Sequence, residues 1–491
     1  MLSINSNRES FLKDKRALLF GVVIVAATIM SFLMLSKMIT GQKYIFLGGL
    51  VLLTLYALLP LQIKMVLLVL GCLFPLSFGN FGPIPTFLWA EWMGPLIFCI
   101  MLYHVVLNQE KIFPEKCFPV LSAIFVLVVW AAINYLRHPV LAEKLMGVSD
   151  SAGGLRSYFL IFVGVCIFLS GLWFSRYWEA NQSFWKRVLW TIVILSILLG
   201  ILRIFSYFFS FDIPFVYSTY RYGGEYGLAK YGGTAYRIGG LSEPATIGIS
   251  ALLALKSGKS LQLMDVLMFL CFGFFLFLSG GRSATVGLLV ALAFYGFILN
   301  MRYLAWIFAG LSLLSGVIWF LVSSDVLTGQ INRLFALEGG IRSQDKYRSL
   351  TYRYMWEGFL VNPIFGRGIG YYGKGFGSTT TFAFGQLKAG GHGSYLSILH
   401  LFGLGGIYFL GVTLFSSVLK GISLLRKDRY FELLTNEQQT MVSFIVLILI
   451  IRSLEYIAGG NGFSDRSLFC LAGILAGFYS KTKNESYNEK T

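Results

Sequence analysis

The chain has 491 residues, of which 56% are hydrophobic and only 13% charged, with a mean hydropathy of +0.71. Soluble domains are about 25% charged, so this composition excludes an ordinary water-soluble enzyme and makes lipid the dominant solvent. The net charge of +17 does not point to nucleic acid, because basic cytoplasmic loops alone make many membrane proteins positive.

A helix needs about 20 apolar residues to cross the hydrocarbon core. Apolar runs predict spans near 17–36, 44–62, 65–79, 86–106, 118–135, 157–174, 188–210, 243–256, 262–279, 283–301, 303–323, 394–419, 440–454 and 466–480. The fold class is therefore an all-α integral membrane protein, a polytopic bundle of about 14 transmembrane helices. The runs 65–79 and 243–256 are short enough to be tilted, broken or re-entrant, which sets the range at 12–14. The first run lacks a small-residue cleavage site and is expected to remain as a span. Six cysteines (Cys72, Cys99, Cys117, Cys166, Cys271, Cys470) lie in or beside apolar runs without CxxC spacing, so they are expected to be small buried side chains.

Cations beside the helix ends set the orientation. Arg8, Lys13, Lys15 and Arg16 precede the first span, and Lys111, Lys116, Arg176, Lys186, Arg187, Lys256, Lys259, Arg302, Lys420, Arg426, Lys427, Arg429, Lys481 and Lys483 fall on the same side. Both termini are thus expected in the cytoplasm. The membrane domain covers 1–480, with non-cytoplasmic loops at 211–242 and 324–393, and the polar stretch 481–491 is expected to be a disordered tail.

Chemistry-bearing residues gather on the non-cytoplasmic side of that topology. Loop 211–242 carries Tyr217, Tyr220, Arg221, Tyr222 and Tyr226; Arg221 and Tyr222 are candidate substrate contacts, with an interfacial tyrosine belt as the alternative. Arg237-Ile-Gly-Gly240-Leu-Ser-Glu243-Pro244 leads directly into a span and places Arg237 and Glu243 at the outer face, as chemical groups or as an interfacial anchor and a helix cap. Arg282 sits in the short turn Ser279-Gly280-Gly281-Arg282-Ser283 between two apolar spans. An ionisable residue there is costly and is usually functional or paired, and neighbouring glycines let a phosphate approach the backbone.

The large loop 324–393 concentrates Arg333, Arg342, Lys346, Arg348, Arg353, Arg367, Lys374 and Lys388 and closes on Gly390-Gly391-His392-Gly393-Ser394. So many cations suggest a polyanionic, phosphate-bearing substrate, with Arg348, Arg353 and Arg367 as binding candidates. Residues 345–360 fit an amphipathic helix with Tyr347, Leu350, Tyr354 and Phe359 as its apolar positions. His392 stands where the loop enters a span, and an imidazole suits proton transfer from a sugar hydroxyl. The other histidines, His104, His138 and His400, read as structural. The glycines at 366, 368 and 370 resemble a nucleotide loop only superficially, and ATP is absent from that side of the membrane. There is no P-loop, no HExxH and no DxD pair, so no metal or cofactor is expected.

Four motifs occur in one order: Arg237-x-x-Gly240-x-x-x-Pro244, Ser-Gly-Gly-Arg282-Ser, Arg353-x-x-Trp356-(x)5-Asn362-Pro363-(x)2-Gly366-x-Gly368-x-Gly370, and His392-x-Ser394-x-Leu396-(x)6-Gly403-x-x-Gly406. Together they resemble the bacterial O-antigen polymerase and O-antigen ligase superfamily, over roughly 235–410 by motif and over the whole chain by topology. The resemblance implies a GT-C-like, metal-independent glycosyltransferase of the inner membrane that uses undecaprenyl-pyrophosphate-linked glycans. Arg237, Arg282 and His392 would correspond to the family's essential arginines and histidine. The family often has His-Asn where this chain has His392-Gly393.

A repeat-unit polymerase for O-antigen, capsule or exopolysaccharide is the expected function, with an O-antigen or protein-glycan ligase as the alternative. The expected partners are an undecaprenyl-pyrophosphate-linked oligosaccharide, the bilayer, a chain-length regulator and a flippase, with no nucleic acid. A lipid-linked glycan transporter is the non-enzyme alternative. It predicts ionisable residues near mid-span and broken helices in paired halves.

Overall fold

The computed structural model describes residues 56, 58–76, 88–107, 118–137, 155–177, 183–209, 238, 240–257, 259, 262–279, 282–299, 352–368, 394–425, 434–458 and 465–488. Among them the secondary structure is helical, apart from an isolated bridge between Leu76 and Leu88. In chain order the helices are α1 (Leu61–Leu73), α2 (Trp89–Leu107), α3 (Phe118–Arg137), α4 (Leu155–Tyr177), α5 (Phe184–Phe209), α6 (Ser242–Lys256), α7 (Leu263–Ser279), α8 (Arg282–Leu299), α9 (352–361), α10 (Ser394–Leu425), α11 (Asn436–Ala458) and α12 (Arg466–Asn488). Six described helices are long and apolar enough to cross a membrane: α2, α3, α4, α5, α10 and α11. The chain is a helical integral membrane protein. The expected spans 17–36 and 303–323, and residues 44–55 and 57 of the span 44–62, lie outside the described residues.

Local chemistry explains where the helices depart from the apolar runs. The 65–79 run is helical only to Leu73, because Phe74 precedes Pro75 and is extended (φ −113°, ψ 145°). A pre-proline residue is pushed out of the helical region by the ring. At the other end of the chain, α12 continues past the apolar stretch to Asn488, so residues 481–488 are helical rather than the disordered tail expected from their polarity. Thr482 sustains that turn by donating its hydroxyl to the Phe478 carbonyl.

Association of helices in lipid depends on close packing rather than on expulsion of water. The closest pairing shows it. Along the α4–α12 seam a Cβ at Gly473 would stand 2.3 Å from the Phe168 carbonyl oxygen, so the two backbones touch where a side chain is missing. Further seams join α2 with α4, α3 with α10, α5 with α6, α8 with α11 and α10 with α11. A continuous core of apolar side chains runs between them. Large apolar groups such as Phe125, Phe162, Leu198, Phe205 and Phe415 stay exposed, as expected for surfaces that face lipid. Cys72, Cys166 and Cys470 are buried and Cys99 and Cys271 half-buried, all as free thiols.

Side-chain pairs mark the two ends of the bundle. At one end Lys256 at the end of α6 meets Asp265 at the start of α7 at 2.8 Å. Glu437 at the start of α11 lies within electrostatic reach of Lys186 and Arg187 at the start of α5. The opposite end collects the starts of α2, α6, α8, α10 and α12 and the ends of α5, α7 and α11.

Candidate functional site

The site is built by sequence segments that lead from loop into helix at that second end. Residue 238 follows Arg237, and its backbone N–H donates to the Leu278 carbonyl at 3.2 Å, near the end of α7. The Ser279 hydroxyl next to it bonds back to Leu276. Helix α8 begins at Arg282. The motif that holds Arg237 and the turn that holds Arg282 are therefore joined side by side through their backbones. Arg237 itself lies outside the described residues, and Arg282 is placed by its backbone at the first position of α8.

Gly240 adopts a positive φ of 75°, which turns the chain into α6. Its missing side chain makes room for Arg203 of α5, because a Cβ there would stand 2.1 Å from the Arg203 Nη1. Leu241 occupies the N-cap position without a side-chain cap, and Glu243 lies in the first turn of α6. Glu243 is half-buried and within electrostatic reach of Arg203, Arg452 and Glu455.

Arg452, near the end of α11, is the hub of this end. Its Nη1 meets the Glu455 Oε2 at 2.7 Å and its Nε approaches the Asp465 Oδ2 at 3.8 Å. Asp465 caps α12: the Ser467 N–H and hydroxyl donate to Oδ1 at 2.8 and 2.6 Å, and the Tyr456 hydroxyl donates to Oδ2. Burial alone pushes the Asp465 carboxyl up. The Arg452 guanidinium and these hydrogen bonds outweigh it and hold the group below its ordinary value. Nearby, Arg466 pairs with Glu91 at the start of α2.

Helix α10 brings the His392 motif to the same place. Its first residue is Ser394, two positions after His392. The Tyr395 hydroxyl donates to the Ser453 carbonyl at 2.9 Å, and its ring meets that of Tyr456 edge-on at 6.3 Å. The start of α10 thus abuts the Arg452 cluster. His392, Arg348, Arg221 and Tyr222 lie outside the described residues.

The remaining two candidate arginines sit on a neighbouring segment, 352–368. Arg353 is exposed and pairs with Glu357 one turn on at 2.7 Å. Arg367 is half-buried, and its backbone N–H donates to the His400 carbonyl at 2.7 Å. The amphipathic helix expected at 345–360 is described from 352, and its buried positions are Met355 and Gly358, with Tyr354 and Phe359 half-buried beside them. His400 is buried, with Nδ1 3.3 Å from the Met355 carbonyl and its ring against Tyr354, in keeping with a structural role.

Arg203, Arg452, Glu455, Tyr456 and Asp465 escaped the reading of the sequence. Their signal was there: Arg203 and Arg452-Ser-Leu-Glu455 interrupt apolar runs, where ionisable groups are costly unless paired. Among the described residues no three His, Cys, Asp or Glu side chains are grouped so that they could hold a metal ion.

These helices and this polar end define a polytopic membrane protein with an ion-paired site at one rim. Residues 267–415 match the family model described as O-antigen ligase. The match supports the O-antigen ligase and polymerase superfamily, which the four motifs resemble, and it contains Arg282, Arg348, Arg353, Arg367 and His392 while leaving Arg237 and Glu243 outside. No curated protein matches the chain.

Proposed function

We propose that the chain is a polysaccharide repeat-unit polymerase at the outer face of the inner membrane, with both termini in the cytoplasm. The donor is a glycan on undecaprenyl pyrophosphate, and the acceptor hydroxyl belongs to a lipid-linked repeat unit. The hydroxyl oxygen attacks the anomeric carbon, and the bond from that carbon to the phosphate oxygen breaks with inversion. The lipid pyrophosphate leaves with the electron pair, and the hydroxyl proton passes to His392 or, as the rival base, Glu243. Arg282 and Arg237 neutralise charge developing on the pyrophosphate, while Arg348, Arg353, Arg367, Arg221 and Tyr222 hold the remainder of the substrates.

One observation supports this most: the starts of α6, α8 and α10 converge on one end, where residue 238 is bonded to Leu278 and Tyr395 to Ser453. Helix starts carry partial positive charge and unpaired N–H groups that favour an anion. The transporter alternative is less well supported. The broken helix it would require occurs at Gly403 in α10, but loop backbone fills that break.

The family description favours a second reading, in which the same donor is transferred to lipid A core or to protein. His392-Gly393 in place of the family's usual His-Asn favours polymerisation. A deletion strain separates the two. Loss of the surface-glycan ladder with a single repeat retained is expected for a polymerase; accumulation of long lipid-linked chains would overturn it in favour of the ligase.

A further inference from the structure

Helix α10 is broken at Gly403, which has φ 58° and ψ −143°. In an unbroken helix the Leu404 N–H would bond to the His400 carbonyl. Here it donates to the Pro363 carbonyl at 2.8 Å, and the freed His400 carbonyl accepts the Arg367 N–H at 2.7 Å. The Leu401 carbonyl accepts the Gly368 N–H at 3.0 Å and the Asn134 Nδ2 at 3.3 Å. Residues 363–368, a turn closed by the Gly366 N–H on the Asn362 carbonyl, therefore plug the break with their own backbone. The fit has no space for side chains at the crossing: a Cβ at Gly403 would lie 2.3 Å from the Pro363 oxygen, and one at Gly366 (φ 68°) 2.5 Å from the Leu401 carbonyl carbon.

Helix α3 grips the plug from its other side. Trp130 Nε1 donates to the Ile364 carbonyl at 2.9 Å, Asn134 Nδ2 to Phe365 at 3.1 Å, and Arg137 Nη1 to Gly366 at 3.2 Å. Residues 130, 134 and 137 share one helical face, so this face holds three successive carbonyls of the plug. Asn134 is fully buried and is the only one of the three that also bonds to α10.

The half-helix 394–402 lies between two fixtures. Its His400 and Leu401 carbonyls are tied to the plug, and its Tyr395 touches Ser453 and Tyr456 beside Arg452. We propose that Asn134, with Trp130 and Arg137, is a positioning residue for glycan transfer: it locks the plug into the break of α10 and so sets where the half-helix meets the ion-paired end of the bundle. This rests on the glycosyltransferase reading, because His392 precedes that half-helix by two residues.

The test uses the purified full-length enzyme and, as donor and acceptor, the lipid-linked oligosaccharide that a deletion strain accumulates. Asn134→Leu keeps the shape and removes both donated bonds. It is expected to lower kcat about tenfold or more with KM nearly unchanged, and to shift the pH profile of kcat, as displacement of transition-state groups does. If Asn134→Leu does not insert, Trp130→Phe, which keeps an aromatic side chain and deletes the Nε1 donor, is expected to give the same pattern at roughly two- to fivefold. Wild-type kcat and pH profile in the inserted variant, or a loss explained wholly by less folded enzyme with turnover per folded molecule unchanged, would overturn the proposal. Arg282→Ala serves as the reference. If it retains wild-type activity, the proposed site fails. If it is inactive while Asn134→Leu matches wild type, only the positioning role fails.

Discussion

Gly240 shows how a single hydrogen in place of a side chain can organise a charged site. Its positive φ favours glycine, and the vacant volume is filled by the Arg203 guanidinium. Gly240→Ala should therefore cost twice, through backbone strain of about 1–2 kcal/mol and through displacement of Arg203 from its place near Glu243. Thermal unfolding in detergent should show a lowered Tm, and polymerisation should fall further than the loss of folded protein explains. The groups proposed to act at the pyrophosphate make a sharper case. Arg282→Ala and His392→Ala should each abolish the glycan ladder at normal expression, a loss of about 3–4 kcal/mol of transition-state stabilisation. Arg282→Lys should rescue poorly, because an ammonium cannot bridge two phosphate oxygens as a guanidinium does. Wild-type chain length from both alanine variants would remove the proposed site. Arg282 and His392 stand out in the sequence because glycines isolate them at abrupt polar-to-apolar boundaries. Arg203 was harder to read: it looks like one charge in an apolar run, and the Glu243 that answers it lies 40 residues away, whereas Arg452 carries its partner Glu455 three residues on.

At the scale of the element, α11 and the start of α12 are held by Arg452. Removing it strands the partly buried Glu455 and Asp465, so the cost should approach but not reach the roughly 3–5 kcal/mol of a fully buried pair. Arg452→Ala should accordingly lower Tm strongly, and Arg452→Lys only in part. The Asp465 carboxyl lies below its ordinary value in the folded chain, which fixes the sign of its pH dependence. Its contribution is complete above the unfolded value of about 3.9 and is lost as pH falls through the lower folded value. A melt series should show this contribution constant from neutral pH to about pH 4 and declining below it, with no such step in Asp465→Asn. Helix α10 gives a second element-scale test. The dihedral angles of Gly403 belong to a region essentially restricted to glycine, where strain costs about 1–3 kcal/mol, and a Cβ would strike the plug. Gly403→Ala should therefore yield little folded protein on size-exclusion chromatography. The sequence displayed Gly366, Gly368 and Gly403 as a pattern, but periodicity could not show that the first pair serves the third. That relation is a contact across the loop.

At the scale of the molecule, and among the described residues, hydrophobic run length located the helices well, since lipid makes a spanning segment apolar whatever its neighbours. It was poorer at their ends, as Phe74 and the extension of α12 show, because proline and local hydrogen bonds decide those. The alternation of helix directions is consistent throughout the described bundle: Lys256 pairs with Asp265 at one end, while Arg466 pairs with Glu91 at the other. Positive-inside counting assigns the first of these ends to the cytoplasm. A cysteine placed at Ser343, in the large loop, should then react with an impermeant maleimide in cells whose outer membrane alone is permeable. Labelling that appears only after inner-membrane lysis would reverse the orientation.

The plug in α10 also makes the outer loop a candidate for exchange. Gly368 is bonded to Leu401, and Ser394 starts the same helix about 10 Å away along its axis. The two described ends that residues 369–393 join therefore stand close together, a separation that connections of many lengths can span. Doubling such an excursion costs only about 0.6 kcal/mol in closure entropy. On the proposed function, chimeras that exchange residues 371–389 while keeping the plug and the Gly391-His392-Gly393 entry should carry one strain's glycan selectivity onto the scaffold of another.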